Sequence, residues 1–337
     1  MTSHDETKIS IVIPTTGKRK ELLRRAIASA FVDDESLFTE IIVVANGPDS
    51  KSFRLPDGIS PPKNSYIQTV RTSIANVSHA RNLGIEAATG QWLRFLDDDD
   101  FLLPDTAKQQ YLEAISSSCD ISTYAGAIQD EHGHTFQTIC PDRSQGYAHA
   151  VLGPNCPALT FSSVYRMDKV RHLRWNEAWT ATEDEDWMRR ILQSFTPEWV
   201  VNNDVTGIWY QHAQSRLSKP IPANKFYTNR AASIIESIET LNNQNRLEEI
   251  QKKAAANGLW SAIHGGFFFS PIYWSRISIR ARKLDEFSKP KDRIFSILPW
   301  VHPLMIEWIF LPKRLINHTV RMVKGKFFGF GIVRKIP

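Results

Sequence analysis

Cysteine is scarce in this chain: Cys119, Cys140 and Cys156 are an odd number, widely spaced, with no CxxC pair. That pattern excludes a disulfide framework and argues against a structural zinc site, so a reducing, cytoplasmic compartment is expected. A secretory signal is also missing, because residues 1–8 are polar and the apolar run 9–13 is too short for a signal core. No internal repeat or low-complexity segment occurs. With 42% hydrophobic and 23% charged residues over 337 positions, the composition excludes disorder and allows a large domain plus a smaller one.

Acidic residues run short in one region only. Residues 1–215 hold 20 Lys+Arg against 28 Asp+Glu, whereas residues 216–337 hold 21 against 8. An acidic front and a basic, aromatic back point to two roles, divided near Arg216.

The front alternates in period. Residues 9–13, closed by Pro14, read as a buried strand, and Leu22, Leu23, Ala26, Ile27 and Ala30 recur at helical spacing. Residues 41–44 form a second strand ended by the Asn46-Gly47-Pro48 turn, and 67–70 a third. Residues 78–88 read as a helix stopped by Gly90, and 92–96 as a strand running into four aspartates. Further on, the spacing predicts helix over 106–117 and 186–195, strand over 121–127, 158–165 and 205–210, a turn at 130–133, and helix over 223–263. The fold class is therefore α/β, a mostly parallel central sheet with helices on both faces, followed by a mainly helical extension. Ligands of such sheets bind beyond the carboxyl ends of the strands, where residues 14–19, 45–49 and 97–100 fall.

Two acidic clusters carry the chemistry. Asp97, Asp98, Asp99 and Asp100 repel one another unless something cationic neutralises them, and a hard divalent ion shared with a diphosphate would do so. The plainer alternative is an acidic turn at the start of the helix near Pro104. In Glu183-Asp184-Glu185-Asp186, a carboxylate would take the proton of an acceptor hydroxyl, and an acid-rich helix N-terminus is again the alternative.

These segments together resemble a known family. Residues 9–19 (ISIVIPTTGKR), 76–90 (NVSHARNLGIEAATG) and 92–100 (WLRFLDDDD) are similar to the nucleotide-binding half of family 2 glycosyltransferases of the GT-A fold. Downstream, Trp175-Asn176-Glu177 resembles that family's Phe-Asp-Glu element, residues 183–190 its ED-x-D…R helix, and residues 209–218 (WYQHAQSRLS) its Tyr-x-x-His…Ser segment.

The resemblance covers residues 8–218 and implies a Rossmann-like catalytic domain over 1–218. Its donor half would span 1–105 and its acceptor half 106–218, leaving 219–337 as a separate helical region. It further implies that Pro14, Thr15 and Asn46 border the nucleotide base and that Arg81 steadies the pocket. Asp97 would reach the ribose with Asp98 beside it, and Asp99 would bind Mg²⁺ or Mn²⁺ with His212. Asp184, with Glu183 beside it, would be the general base of an inverting transfer from a nucleotide-sugar to a glycan or lipid-linked acceptor, in polysaccharide or lipid-linked glycan synthesis. Two positions depart from the family. Thr16-Gly17-Lys18-Arg19 replaces Tyr-Asn-Arg, and Ala45-Asn46-Gly47-Pro48 replaces an acidic turn, so the donor base, uridine or another, is open. Rival readings of the same residues are a nucleotidyltransferase and a non-catalytic sugar-nucleotide or membrane scaffold.

In the back, residues 294–312 are strongly apolar, but Pro299, His302, Pro303 and Glu307 break a transmembrane reading. Arg276, Arg280, Arg282, Lys283, Lys313, Arg314, Arg321, Lys324 and Lys326 surround this stretch, together with Trp300, Trp308, Phe327 and Phe328. That mixture suits the plane of an anionic membrane, such as the inner face of the plasma membrane, and a helical subdomain with solvated cations is the alternative. No nucleic-acid reader motif accompanies these cations, so no nucleic-acid partner is expected.

Overall fold

The computed structural model describes residues 7–144, 146–212 and 222–328, with side chains described as far as Ile316. Residues 213–218 of the segment ending at Ser218, and the side chains of Arg321, Lys324, Lys326, Phe327 and Phe328, lie outside the described residues.

The front runs β1 (Thr7–Thr15), α1 (Lys20–Ala30), β2 (Leu37–Asn46), β3 (Ser65–Thr72), α2 (Val77–Ala87), β4 (Trp92–Phe95), β5 (Phe101–Leu102) and α3 (Pro104–Ser117). The middle contains β6 (Ile121–Gln129), β7 (Thr135–Ile139), α4 (Gly146–Leu152), β8 (Ser163–Arg166), α5 (Met167–Val170), α6 (Glu183–Ser194) and β9 (Trp199–Tyr210). Helices α7 (Ala223–Asn243), α8 (Glu249–Gly266), α9 (Pro271–Leu284), α10 (Arg293–Ile297) and α11 (Pro303–Phe328) follow.

Among the described residues one sheet has the order β3-β2-β1-β4-β8-β6-β9-β5, with β7 paired to β6. Its long ladders, β1 with β2, β2 with β3 and β6 with β9, are parallel, and the antiparallel ladders are short. Residue alternation along the strands explains the two-faced core. Ile9, Ile11, Ile13, Ile41 and Val43 pack with α1 and α3 on one face, while Val12, Ile42 and Val44 pack with α2, α6, α7 and α8 on the other. The helical back shares this second core, since Trp260, Phe267 and Trp274 belong to the same cluster as Val12.

Tight packing sets the position of α2. Asn76 caps it by accepting the His79 N–H at 3.0 Å, and a Cβ on Gly84 would come within 2.2 Å of the Val12 side chain. Only a glycine lets α2 lie this close to β1, and Arg81, one turn earlier, is thereby held at the carboxyl end of β4.

Three local features differ from expectation. The strand expected over 158–165 is shorter: residues 160–162 make a 3₁₀ turn, with the Ser162 N–H on the Leu159 carbonyl at 2.9 Å, before β8 begins. That turn lets β8 enter antiparallel between β4 and β6. Strands β5 and β7 and helix α4 carry little periodic signal. β5 is two residues long, β7 is almost wholly exposed, and α4 is seven residues long. The helical stretch expected over 223–263 is two helices, α7 and α8, the second opened by a Glu248–Gln251 capping box.

Candidate active site

The carboxyl ends of β1, β2 and β4 meet the first turn of α6, and every site residue expected from the sequence lies on these elements, on α2 or at the end of β9. Thr15 ends β1, and its hydroxyl donates to Asp98 Oδ2 at 2.5 Å. Beside it, the Asn46 amide nitrogen donates to the Thr15 carbonyl at 3.1 Å, so the Asn46 amide oxygen is the group left to meet a base N–H. Pro14 sits one residue before Thr15, opposite Val44 of β2.

The four aspartates are neutralised one by one. Asp97 accepts from Arg81 Nη2 at 2.7 Å. Asp98, almost fully buried, and Asp99 share the guanidinium of Arg19, one nitrogen to each. His212 Nε2 stands 3.3 Å from Asp99 Oδ2. Asp100 accepts the backbone N–H of Tyr210 at 3.0 Å, which ties the aspartate run to the end of β9 and so brings His212 to Asp99. Burial pushes the Asp98 carboxyl up to about 6, against the pull of Arg19 and the Thr15 hydroxyl. Arg25, held between the rings of Phe101 and Tyr210 at 4.3 and 4.0 Å, donates to the Asp99 carbonyl at 3.0 Å.

Helix α2 is tied to α6 through Asn82 and Arg81. Asn82 accepts the Trp175 N–H at 2.7 Å and donates to the Trp175 carbonyl at 3.1 Å and to Glu177 at 2.9 Å. Trp175 stacks on Trp187 of α6, with centroids 5.0 Å apart and planes 4° from parallel. Arg81 lies 4.3 Å from the Trp175 ring, and its buried Nε and Nη1 have no hydrogen-bond partner among the described residues. Burial opposes the charge on Arg81, but the carboxylates of Asp97, Glu183 and Asp184 around it raise its pKa. Arg81 is thus the link between the two acidic clusters.

The second cluster divides by partner. Glu185 is buried between Arg189 at 2.8 Å and Arg230 at 3.1 Å, and Asp186 between the Ser233 hydroxyl at 2.8 Å and Arg190 at 2.7 Å. These two anchor α6 to α7. Asp184 accepts the neighbouring Glu185 N–H at 2.8 Å and, among the described residues, no side-chain donor. Burial, then the charges of Glu183 and Glu185, push the Asp184 carboxyl up to about 7. A carboxylate held there has the proton affinity of a general base working near neutrality.

Asp99 and His212 are spaced so that one octahedral ion could bind both, with diphosphate oxygens and water completing its shell. No group of three ligating side chains is present among the described residues, so the donor would have to supply the rest. Arg19 already holds the Asp99 oxygen that such an ion would use. The residue types thus fit a metal shared with a diphosphate, provided Arg19 gives way. Arg19 and Arg25 are the site residues to which sequence reasoning attached no role. The first lies in the segment that departs from the family, and the second is placed by ring contacts formed across the fold.

Known proteins resemble this chain in sequence and in fold. Residues 10–150 match the family model described as glycosyl transferase family 2. An Escherichia coli relative, the uncharacterized glycosyltransferase YibD, is 25% identical over 174 residues, 48% of this chain and 49% of that protein; the chain thus spans about half of that relative. An uncharacterized glycosyltransferase of Haemophilus influenzae is 23% identical over 322 residues, 92% of this chain and 98% of that protein. The crystal structure of S. aureus TarS 1-349 in complex with UDP-GlcNAc superposes with a TM-score of 0.60 at 14% identity, covering 87% of this chain and 85% of that one. That likeness shows the fold.

Proposed function

We propose, from the match of residues 10–150 to glycosyl transferase family 2, that this chain is an inverting enzyme moving a sugar from a nucleoside-diphosphate sugar to an acceptor hydroxyl. The observation that carries the reading is Asp184. Among the described residues it accepts a backbone N–H and no side-chain donor, it shares the charge of Arg81 with Asp97 and Glu183, and its pKa is pushed up to about 7.

In the transfer, Asp184 takes the proton of the acceptor hydroxyl as that oxygen attacks the anomeric carbon. The bond from that carbon to the diphosphate oxygen breaks on the opposite side, so the centre inverts in one displacement. Arg81, with two unpartnered buried nitrogens, meets the charge on the donor side, and the Trp175–Trp187 stack holds it in place. Asp97 receives a ribose hydroxyl, and Thr15 and Asn46 border the base. Asp99 and His212 would hold a Mg²⁺ or Mn²⁺ ion, which would neutralise the charge growing on the departing diphosphate. The complex of S. aureus TarS with UDP-GlcNAc, a protein of the same fold, favours a UDP-sugar as donor here. We place the acceptor among glycans or lipid-linked glycans, and the enzyme on the cytoplasmic side, in keeping with three free cysteines.

Calorimetry with UDP, GDP, CDP and dTDP, each with and without Mn²⁺, tests the donor site. Metal-dependent binding of one diphosphate, lost in D99A, is expected. Failure of all four to bind would remove the reading.

A further inference from the structure

The described part of α11 is apolar on its outer side as well as its inner one. Inside, a buried polar latch sets the helix's rotation. Glu307, fully buried, pairs with His264 Nδ1 of α8 at 2.6 Å and with Arg314 Nη1 at 2.6 Å, and Arg314 also donates to the His264 carbonyl at 3.1 Å. Trp308 Nε1 donates to Ser275 Oγ of α9 at 3.3 Å. With the helix so fixed, Met305, Ile309 and Ile316, at spacings of four and seven, form one outward stripe flanked by Trp308, and Ile309 and Ile316 are 66% and 63% exposed. Two further apolar side chains project nearby in the chain, Trp300 at 78% exposure and Phe287 at 84%. An uncovered apolar surface of this kind marks an interaction site.

Charge decides its occupant. Residues 271–316, whose side chains are described, contain 9 Lys+Arg against 4 Asp+Glu. Of those four acids, Glu307 is buried in the latch and Asp292 caps α10. A second copy of the chain would bring the same positive charge to this face and be repelled. No described helix is long and apolar enough to cross a membrane. We infer that the α11 stripe, with Trp300 and Phe287, docks the chain on an anionic phospholipid surface, the apolar side chains entering the headgroup boundary and the cations meeting lipid phosphates. This inference stands apart from the sugar-transfer reading.

Flotation of the full chain with phosphatidylcholine vesicles, with and without phosphatidylglycerol, tests it. Binding at least tenfold stronger to the anionic vesicles is expected, weakening as salt rises. The I309S/I316S double variant should lose it, and K313A should weaken it about fivefold. Both variants change exposed side chains, and circular dichroism checks that they fold; should either not fold, the salt and lipid dependence of the unaltered chain still decides. UDP binding by the same variants stays unchanged if the two readings are independent. No binding to anionic vesicles, or equal binding to neutral ones, overturns the inference. A larger assembly dissolved by I309S/I316S without vesicle binding would overturn it in favour of self-association.

Discussion

The chain carries two acidic tetrads of the same length, and the fold treats them in opposite ways. In Asp97 to Asp100 every carboxylate meets a donor: Arg81, then Thr15 with Arg19, then Arg19 with His212, then the Tyr210 N–H. In Glu183 to Asp186 the last two carboxylates are consumed by Arg189, Arg230, Arg190 and Ser233, and the burden of unrelieved charge falls on Asp184. On the proposed function the first tetrad is a receptor, whose internal cations a ligand would replace, and the second is an anchor with Asp184 as its reactive end. Like composition does not mean like chemistry; what matters is how many of the charges the fold has already paired.

The sharpest way to break the contrast is at Asp184. D184N should lower sugar transfer about 10³-fold while nucleotide binding persists, read by diphosphate release and calorimetry. The rate of the unaltered enzyme should rise with pH through about 7, because the base acts when deprotonated, and D184N should lose that inflection. Stability should move the other way. The folded pKa lies above the unfolded carboxylate value, so the charged form opposes folding most above pH 7. The penalty shrinks as pH falls from 7 toward about 4 and is gone below that. D184N should thus melt higher than the unaltered chain at pH 8, by about 2 °C or more, with the gap closing in acid.

E185Q probes the anchoring half and should act on folding rather than on chemistry. It leaves Arg189 and Arg230 buried without their carboxylate, at a cost of about 3 kcal/mol in denaturant unfolding. In the receptor tetrad, D99A should leave folding nearly intact and weaken Mn²⁺-dependent nucleotide binding about 100-fold. The smallest effect is expected from R19Q. Removing the guanidinium from Asp98 and Asp99 should tighten Mn²⁺ binding in the absence of nucleotide about threefold, measured by electron paramagnetic resonance. Weaker Mn²⁺ binding in R19Q would mean that Arg19 supports the ion rather than competing with it.

Much of this site was legible in the sequence, for a physical reason. The apolar runs at 9–13 and 41–44 alternate between two cores, so they can only be strands buried on both faces, and the loops beyond their carboxyl ends must gather at one edge. Period alone therefore brought Thr15, Asn46 and Asp97 to a common place. Where period is weak the reading failed. β7 is nearly all exposed, β5 has two residues, and the 3₁₀ turn before β8 is set by packing around Phe161 rather than by local preference.

By itself, then, the sequence determined the alternation of strand and helix, the positions of the two acidic tetrads and the basic, apolar back. Only the tertiary structure decided which carboxylates are free. Arg230 and Ser233 lie more than forty residues from the acids they pair, and Arg19 lies about eighty from Asp98 and Asp99. It also decided that α11 turns an apolar stripe outward, because the rotation is set by Glu307 reaching His264 on another helix. Charge pairing and helix rotation are settled by contacts between distant segments, and a local pattern carries no record of them.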